Sequence, residues 1–195
     1  MHSRRLLFLL SSARENGNAE QLARKAAESL PPGTVAEWVN LERYRGEVFK
    51  DLRHSPGGYT QPLSPELWDL AQRTVSADEL VFVAPVYWYG LPANAVSYLE
   101  HWSHWLRITE LRFRERMRGK VLSLVTSHSS EEDDAVAQPL LKSLQLSADY
   151  MEMHWRGALI GHGNTPGQVL QDPRAVTTAR DFLVRPVVVA KTEAA

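Results

Sequence analysis

Residues 81–93 read V-F-V-A-P-V-Y-W-Y-G-L-P-A, and the change of character along this stretch sets the fold. Val81 to Ala84 is a continuous apolar run, the mark of a strand buried on both faces, and such strands belong to parallel sheets. Pro85 closes the run. Gly90 between the two flanking prolines supplies all that a turn requires. Tyr87, Trp88 and Tyr89 are therefore surplus to the turn, and three successive rings cannot all enter one core. They read as a platform for something flat.

The same kind of run recurs along the chain. Strands are predicted at 5–10, 34–39, 80–84, 120–125 and 150–160. A helix is predicted over 18–30, with Leu22, Ala23, Ala26, Ala27 and Leu30 on one stripe, ended by Pro31-Pro32-Gly33. A second opens at Ser64-Pro65-Glu66, with Ser64 as cap and Pro65 at the first helical position. Others are predicted over 92–106, over 131–146 with Pro139 as a kink, and from Asp172-Pro173. Residues 42–63 read as loop, rich in glycine and proline. Strands alternating with helices mean β-α-β units. The expected fold is α/β: one domain over 1–195, a flavodoxin-like three-layer sandwich with a five-stranded parallel sheet and helices on both faces. Ligands of such sheets sit outside the carboxyl ends of the strands where strand order reverses. That singles out the loops at 11–18, 85–90 and 126–129.

Composition bounds the function. The chain has 195 residues, 44% hydrophobic and 23% charged, as ordinary globular domains do. A net charge of −1 gives no reason to expect nucleic acid or an anionic membrane as partner. The lack of cysteine removes disulfides, thiolate metal sites and thiol chemistry, and suits a cytoplasmic protein. Arg4-Arg5 before Leu6 to Leu10 mimics a signal peptide, but the run is shorter than a secretory segment and reads as a first core strand. No run approaches the length of a membrane span.

The first loop is S-S-A-R-E-N-G-N-A, between a strand and a helix. Hydroxyls, amides, a guanidinium and a glycine meet there the unpaired N–H groups of a helix start, which favour an anion. It is neither a Walker loop nor the G-x-G-x-x-G dinucleotide fingerprint. A phosphate monoester is the natural occupant. The alternative is an ordinary turn with Asn18 as cap and Arg14 in solvent. In the second loop the rings offer stacking to a flat group tethered to that phosphate; the alternative is that they cap the sheet or make a subunit contact.

S-S-A-R-E-N-G-N, followed by A-P-V-Y-W-Y-G-L-P-A and T-S-H-S, resembles the NADPH-dependent FMN reductase and flavodoxin-like quinone reductase group over most of the chain. The resemblance implies that Ser12, Arg14, Asn16, Gly17 and Asn18 bind the FMN phosphate. It implies that Pro85, Val86, Tyr87, Trp88, Tyr89 and Gly90 border the isoalloxazine, and that Thr126, Ser127 and His128 close over it. Three departures stand out: Ala19 where a hydroxyl is frequent, Val96 in place of a common lysine, and a third loop without its glycines. The implied function is an FMN-dependent NAD(P)H oxidoreductase, with NADPH or NADH as co-substrate and a small-molecule electron acceptor: a quinone, free flavin, azo compound or metal oxyanion. The flavin carries the redox step, so no side chain is needed as catalytic acid or base. The alternatives are a flavodoxin-type electron carrier and a cofactor-free interaction module. Arg43, Arg45, Lys50 and Arg107 are all conceivable partners of a nicotinamide 2′-phosphate, so the choice of NADPH or NADH stays open.

The remaining signals read as structural. His101 and His104 lack an obvious third ligand, and Glu131-Glu132-Asp133-Asp134 reads as acid at a helix start, so no metal site is expected. Met151, Met153 and Trp155 alternate as in a strand. Tyr98, Trp102 and Trp105, with Leu106, Leu111 and Phe113, exceed what one helix face buries in a monomer. They predict a homodimer or homotetramer with a contact near 94–117.

Overall fold

A computed structural model of the protein describes residues 3–60, 62–129 and 133–187. The apolar runs form β1 (Arg5–Leu10), β2 (Val35–Asn40), β3 (Glu79–Pro85), β4 (Val121–His128) and β5 (His154–His162). All pair in parallel in the order β2-β1-β3-β4-β5. The helices are α1 (Asn18–Ala27), α2 (Pro65–Ser76), α3 (Ala93–Trp105), α4 (Phe113–Met117), α5 (Gln138–Tyr150) and α6 (Pro173–Phe182). No described helix is long and apolar enough to cross a membrane.

Strand alternation builds the three layers. Leu6, Phe8, Val81 and Val83 face Leu22, Ala26, Ala179 and Phe182, so α1 and α6 cover one side. Leu7, Leu9, Leu80 and Phe82 face Leu70, Tyr98, Trp105 and Leu144, so α2, α3 and α5 cover the other. The flavodoxin-like sandwich expected from the sequence is the fold observed.

Three local readings need correction. Pro139 does not kink a helix; it lies in the first turn of α5, where its missing N–H costs nothing. A 3-10 turn over Asp134–Ala137 precedes that helix, and residues 131 and 132 of its predicted start lie outside the described residues. The last strand begins at His154, so Met151 and Met153 are buried in the turn before it rather than alternating along it. Third, Tyr98, Trp102, Trp105, Leu111 and Phe113 are all buried within one chain. The segment after α3 folds back, setting Phe113 edge-on to Trp102 at 5.5 Å and Trp105 at 5.4 Å. The self-association expected from that stripe loses its premise.

Glu47 and Tyr59 of the 42–63 segment lie against α3. His101 Nε2 donates to the Glu47 carbonyl at 2.8 Å, and Tyr59 stacks on His104 at 4.7 Å. Burial lowers the basicity of His104.

One ion cluster ties the amino ends of the strands. Glu79 is 1% exposed. Its carboxylate accepts from Arg156 Nε at 2.7 Å and NH2 at 2.8 Å, from Arg4 NH2 at 2.5 Å and from Ser123 Oγ at 2.9 Å. Removing the acid strands the buried guanidinium of Arg156. Glu79→Ala should therefore cost about 3–5 kcal/mol in urea unfolding; a loss under about 1 kcal/mol would show that the cluster is dispensable.

Candidate functional site

Strand order reverses between β1 and β3, and the loops leaving their carboxyl ends meet there. At the end of β1, Ser11 is fully buried and its N–H and Oγ both donate to the Val83 carbonyl at 3.0 Å, tying the two strand ends together. The loop then doubles back. Ser12 Oγ accepts from the Arg14 N–H at 3.0 Å, and Asn16 takes left-handed backbone at φ 52°, which asparagine tolerates well. A Cβ on Gly17 would lie 3.3 Å from Ser12 Oγ and 3.6 Å from the Arg14 carbonyl, so the loop closes around that glycine. The Asn16 N–H donates to Glu20 Oε2 at 3.0 Å. An anionic oxygen thus already sits on a loop donor. Ser12, Arg14, Asn16, Glu20 and Arg24 line a hollow of about 350 Å³, with Arg14 exposed.

Asn18 differs from its neighbours. Its Nδ2 donates to the carbonyls of Gly163 at 2.9 Å and Thr165 at 3.0 Å, and its Oδ1 accepts from the Gly167 N–H at 2.9 Å. The side chain fastens the loop after β5 to the start of α1, so it has no amide atom left for a ligand. Only the backbone of Asn18 remains available.

The second loop answers the question of the three rings. Tyr87 and Gly90 bridge each other, N–H to carbonyl, at 3.2 and 2.9 Å, with Trp88 at φ 49° and Tyr89 at φ 60° between them. Two consecutive aromatic residues in the left-handed region are strained, and such strain concentrates at ligand sites. Trp88 is 96% exposed, Tyr89 60% and Tyr87 41%, so the rings do not cap the sheet. Pro85 is the last residue of β3, and the Val86 N–H donates to the Ser127 carbonyl at 3.1 Å. Tyr87 joins Ser11, Ala13, Glu42, Asn94 and Tyr98 around a cavity of about 300 Å³. Asn94 Nδ2 donates to Glu42 Oε2 at 3.1 Å, while its buried Oδ1 has no partner among the described residues.

Thr126, Ser127 and His128 are not in a loop. They end β4, paired with Ile160, Gly161 and His162 of β5, and are buried. Thr126 Oγ1 and His128 Nδ1 are buried without a hydrogen-bond partner among the described residues. These three residues line neither hollow; their link to the second loop is the Ser127 carbonyl.

Beside them lies a constellation that sequence reading missed. Asp134 Oδ1 faces His128 Nε2 at 3.2 Å and His162 Nε2 at 2.8 Å, and Arg174 grips both carboxylate oxygens at 2.8 and 3.2 Å. The three ligand-type atoms lie within 4.8 Å of one another, yet the Arg174 guanidinium is itself the cation there, 3.0 Å from His162 Nε2. Arg174 first, then the two histidines, hold the Asp134 carboxyl well below the usual carboxylate range. Partners 28 and 40 residues away leave no local signal.

The family model of NADPH-dependent FMN reductase matches residues 4–160. The chain belongs to that family. It is 28% identical over 182 residues to a Bacillus subtilis (strain 168) protein named as an NAD(P)H-dependent FMN-containing oxidoreductase, covering 93% of this chain and 97% of the relative. Two solved structures share the fold. One is a Bacillus subtilis protein described as a Trp repressor binding protein, with TM-score 0.73 and 23% identity, covering 93% of this chain and 99% of the other. The other is an FMN-dependent NADH-azoreductase from Bacillus anthracis str. Ames Ancestor in complex with FMN, with TM-score 0.62 and 15% identity, covering 92% and 97%. As a family member this chain is an NAD(P)H-dependent oxidoreductase with FMN as cofactor.

Two outcomes follow from the geometry. Trp88→Ala should change unfolding free energy by no more than about 0.5 kcal/mol, and Trp88→Gly should raise it by about 1 kcal/mol by relieving the left-handed backbone. A loss of about 3–5 kcal/mol, proper to a buried tryptophan, would contradict the exposed turn. For Asp134, the folded carboxyl titrates below its unfolded value, so its pairing stabilises fully above about pH 5 and fades as pH falls through about 4. Asp134→Asn should lower the thermal midpoint by about 2–4 °C at pH 7, and the gap to wild type should narrow below about pH 4. A gap that stays constant with pH would refute the pairing.

Proposed function

We propose that the protein takes reducing equivalents from NAD(P)H and delivers them, through FMN held by the 12–18 loop and the 87–90 turn, to a diffusible acceptor such as a quinone, free flavin, azo compound or metal oxyanion. The observation that carries this reading is the placement of a loop with anion-ready donors beside an exposed aromatic turn, at the one point where strand order reverses. A cytoplasmic setting suits the supply of NAD(P)H.

The residues present fit a flavin phosphate. The Asn16 N–H already carries a carboxylate oxygen, Gly17 permits close backbone approach, and Arg14 is exposed for a charge-assisted contact. We assign phosphate binding to Ser12, Arg14, Asn16, Gly17 and the backbone of Asn18. Pro85 to Gly90 border the ring, with Tyr87, Trp88 and Tyr89 offering stacking faces. Thr126, Ser127 and His128 support the turn from β4, and the unpartnered Thr126 Oγ1 and His128 Nδ1 are the polar atoms there with hydrogen-bonding capacity to spare. FMN, when bound, supplies the hydride and electron chemistry. The chain positions the ring.

A flavodoxin-type carrier docking on protein partners is the second reading. Such carriers are strongly acidic, whereas this chain has a net charge of −1. Protein reconstituted with FMN should show bound-flavin absorbance and oxidise NADPH or NADH when a quinone is added. Flavin absorbance without nicotinamide oxidation would favour the carrier. Arg14→Ala should weaken FMN binding by about 1.5–3 kcal/mol, some tenfold or more in Kd; unchanged affinity would remove the phosphate from this loop.

A further inference from the structure

Both oxygens of Glu20, in the first turn of α1, are engaged at the loop. Oε2 accepts from the Asn16 N–H at 3.0 Å, and Oε1 accepts from Arg24 Nε at 3.0 Å and NH2 at 2.6 Å. The Glu20 side chain is only 13% exposed. An acid in the first turn is favourable for a helix by itself. Here, however, it occupies a donor that a phosphate monoester needs, and a phosphate brought to the same hollow meets a like charge held at close range. Arg14 is the loop's main offset to this, and no further side-chain donor from positions 18 or 19 supplements it. Position 19 is Ala19, buried and without a hydroxyl, and the Asn18 amide is spent on Gly163, Thr165 and Gly167.

We propose that Glu20 limits FMN retention: an internal carboxylate that competes with the flavin phosphate for the Asn16 N–H and keeps the flavin exchangeable. Arg24 is the positioning residue, holding the carboxylate in place and tempering its charge. The inference rests on the assignment of the 12–18 loop to the FMN phosphate. It opposes the plain structural role, in which Glu20 only clasps the loop, because the two predict effects of opposite sign.

The test is titration of apo protein with FMN and with riboflavin, followed by flavin fluorescence quenching, with the thermal midpoint as a check on folding. Glu20→Gln keeps side-chain length and an acceptor oxygen for the Asn16 N–H. It should tighten FMN about tenfold and leave riboflavin, which has no phosphate, within about twofold. Arg24→Gln, which leaves the carboxylate unneutralised, should weaken FMN several-fold with riboflavin again unchanged. If Glu20→Gln weakens both flavins, Glu20 is a clasp and the inference is overturned. It is overturned alone if FMN binds wild type and both variants equally, and more tightly than riboflavin. If none of the three binds FMN better than riboflavin, the loop does not read a phosphate, and the functional assignment of the loop falls with it.

Discussion

Every strand of a parallel sheet must be covered on both faces, and that requirement governs the rest of this molecule. Leu6 and Phe8 need one set of helices and Leu7 and Leu9 another, so the chain places α1 and α6 on one side and α2, α3 and α5 on the other. Winding outward in both directions from β1 makes the strand order reverse between β1 and β3. The loops leaving those strands part to opposite faces, and a crevice opens without any side chain having to carve it. The crevice is a consequence of covering the sheet.

What fills the crevice edge is decided by hydrogen-bond accounting. Ser11 ties β1 to β3 at the Val83 carbonyl, and Asn18 ties α1 to the loop after β5. A Cβ on Gly163 would fall 2.9 Å from Asn18 Nδ2, so that glycine is what lets the clamp close. With these polar groups committed, and the Asn16 N–H held by Glu20, the exposed Arg14 and the strained aromatic turn are what face outward. Strain at Trp88 and Tyr89 is tolerated because the Tyr87–Gly90 bridge closes the turn on both sides.

At the opposite end of the sheet, Glu79 gathers Arg4, Arg156 and Ser123 from three other strands or their flanks. At the carboxyl end, Asp134 gathers His128, His162 and Arg174. Each cluster joins residues far apart in sequence through one carboxylate, so each fixes relative placement of strands and helices that apolar packing alone leaves free to slide.

The sequence by itself determined the layer architecture and the parallel sheet, and pointed to the loops that bear the candidate site, because apolar run length and helical periodicity are local and report burial directly. It also singled out Ser12, Arg14, Asn16, Gly17 and the 87–89 rings as candidates, since turn chemistry and surplus aromatics are legible within a few residues. It misjudged what depends on distant partners. Tyr98, Trp102 and Trp105 read as too many rings for one chain until Phe113 folded back on them. Asp134 read as helix-start acid until Arg174 reached it, and Thr126 to His128 read as loop until β5 extended alongside. Nothing near Asn18 showed that the loop after β5 would claim its side-chain amide. Only the tertiary structure decided these, because a hydrogen bond or ring contact across tens of residues is a property of where two elements dock, and no single segment encodes that position.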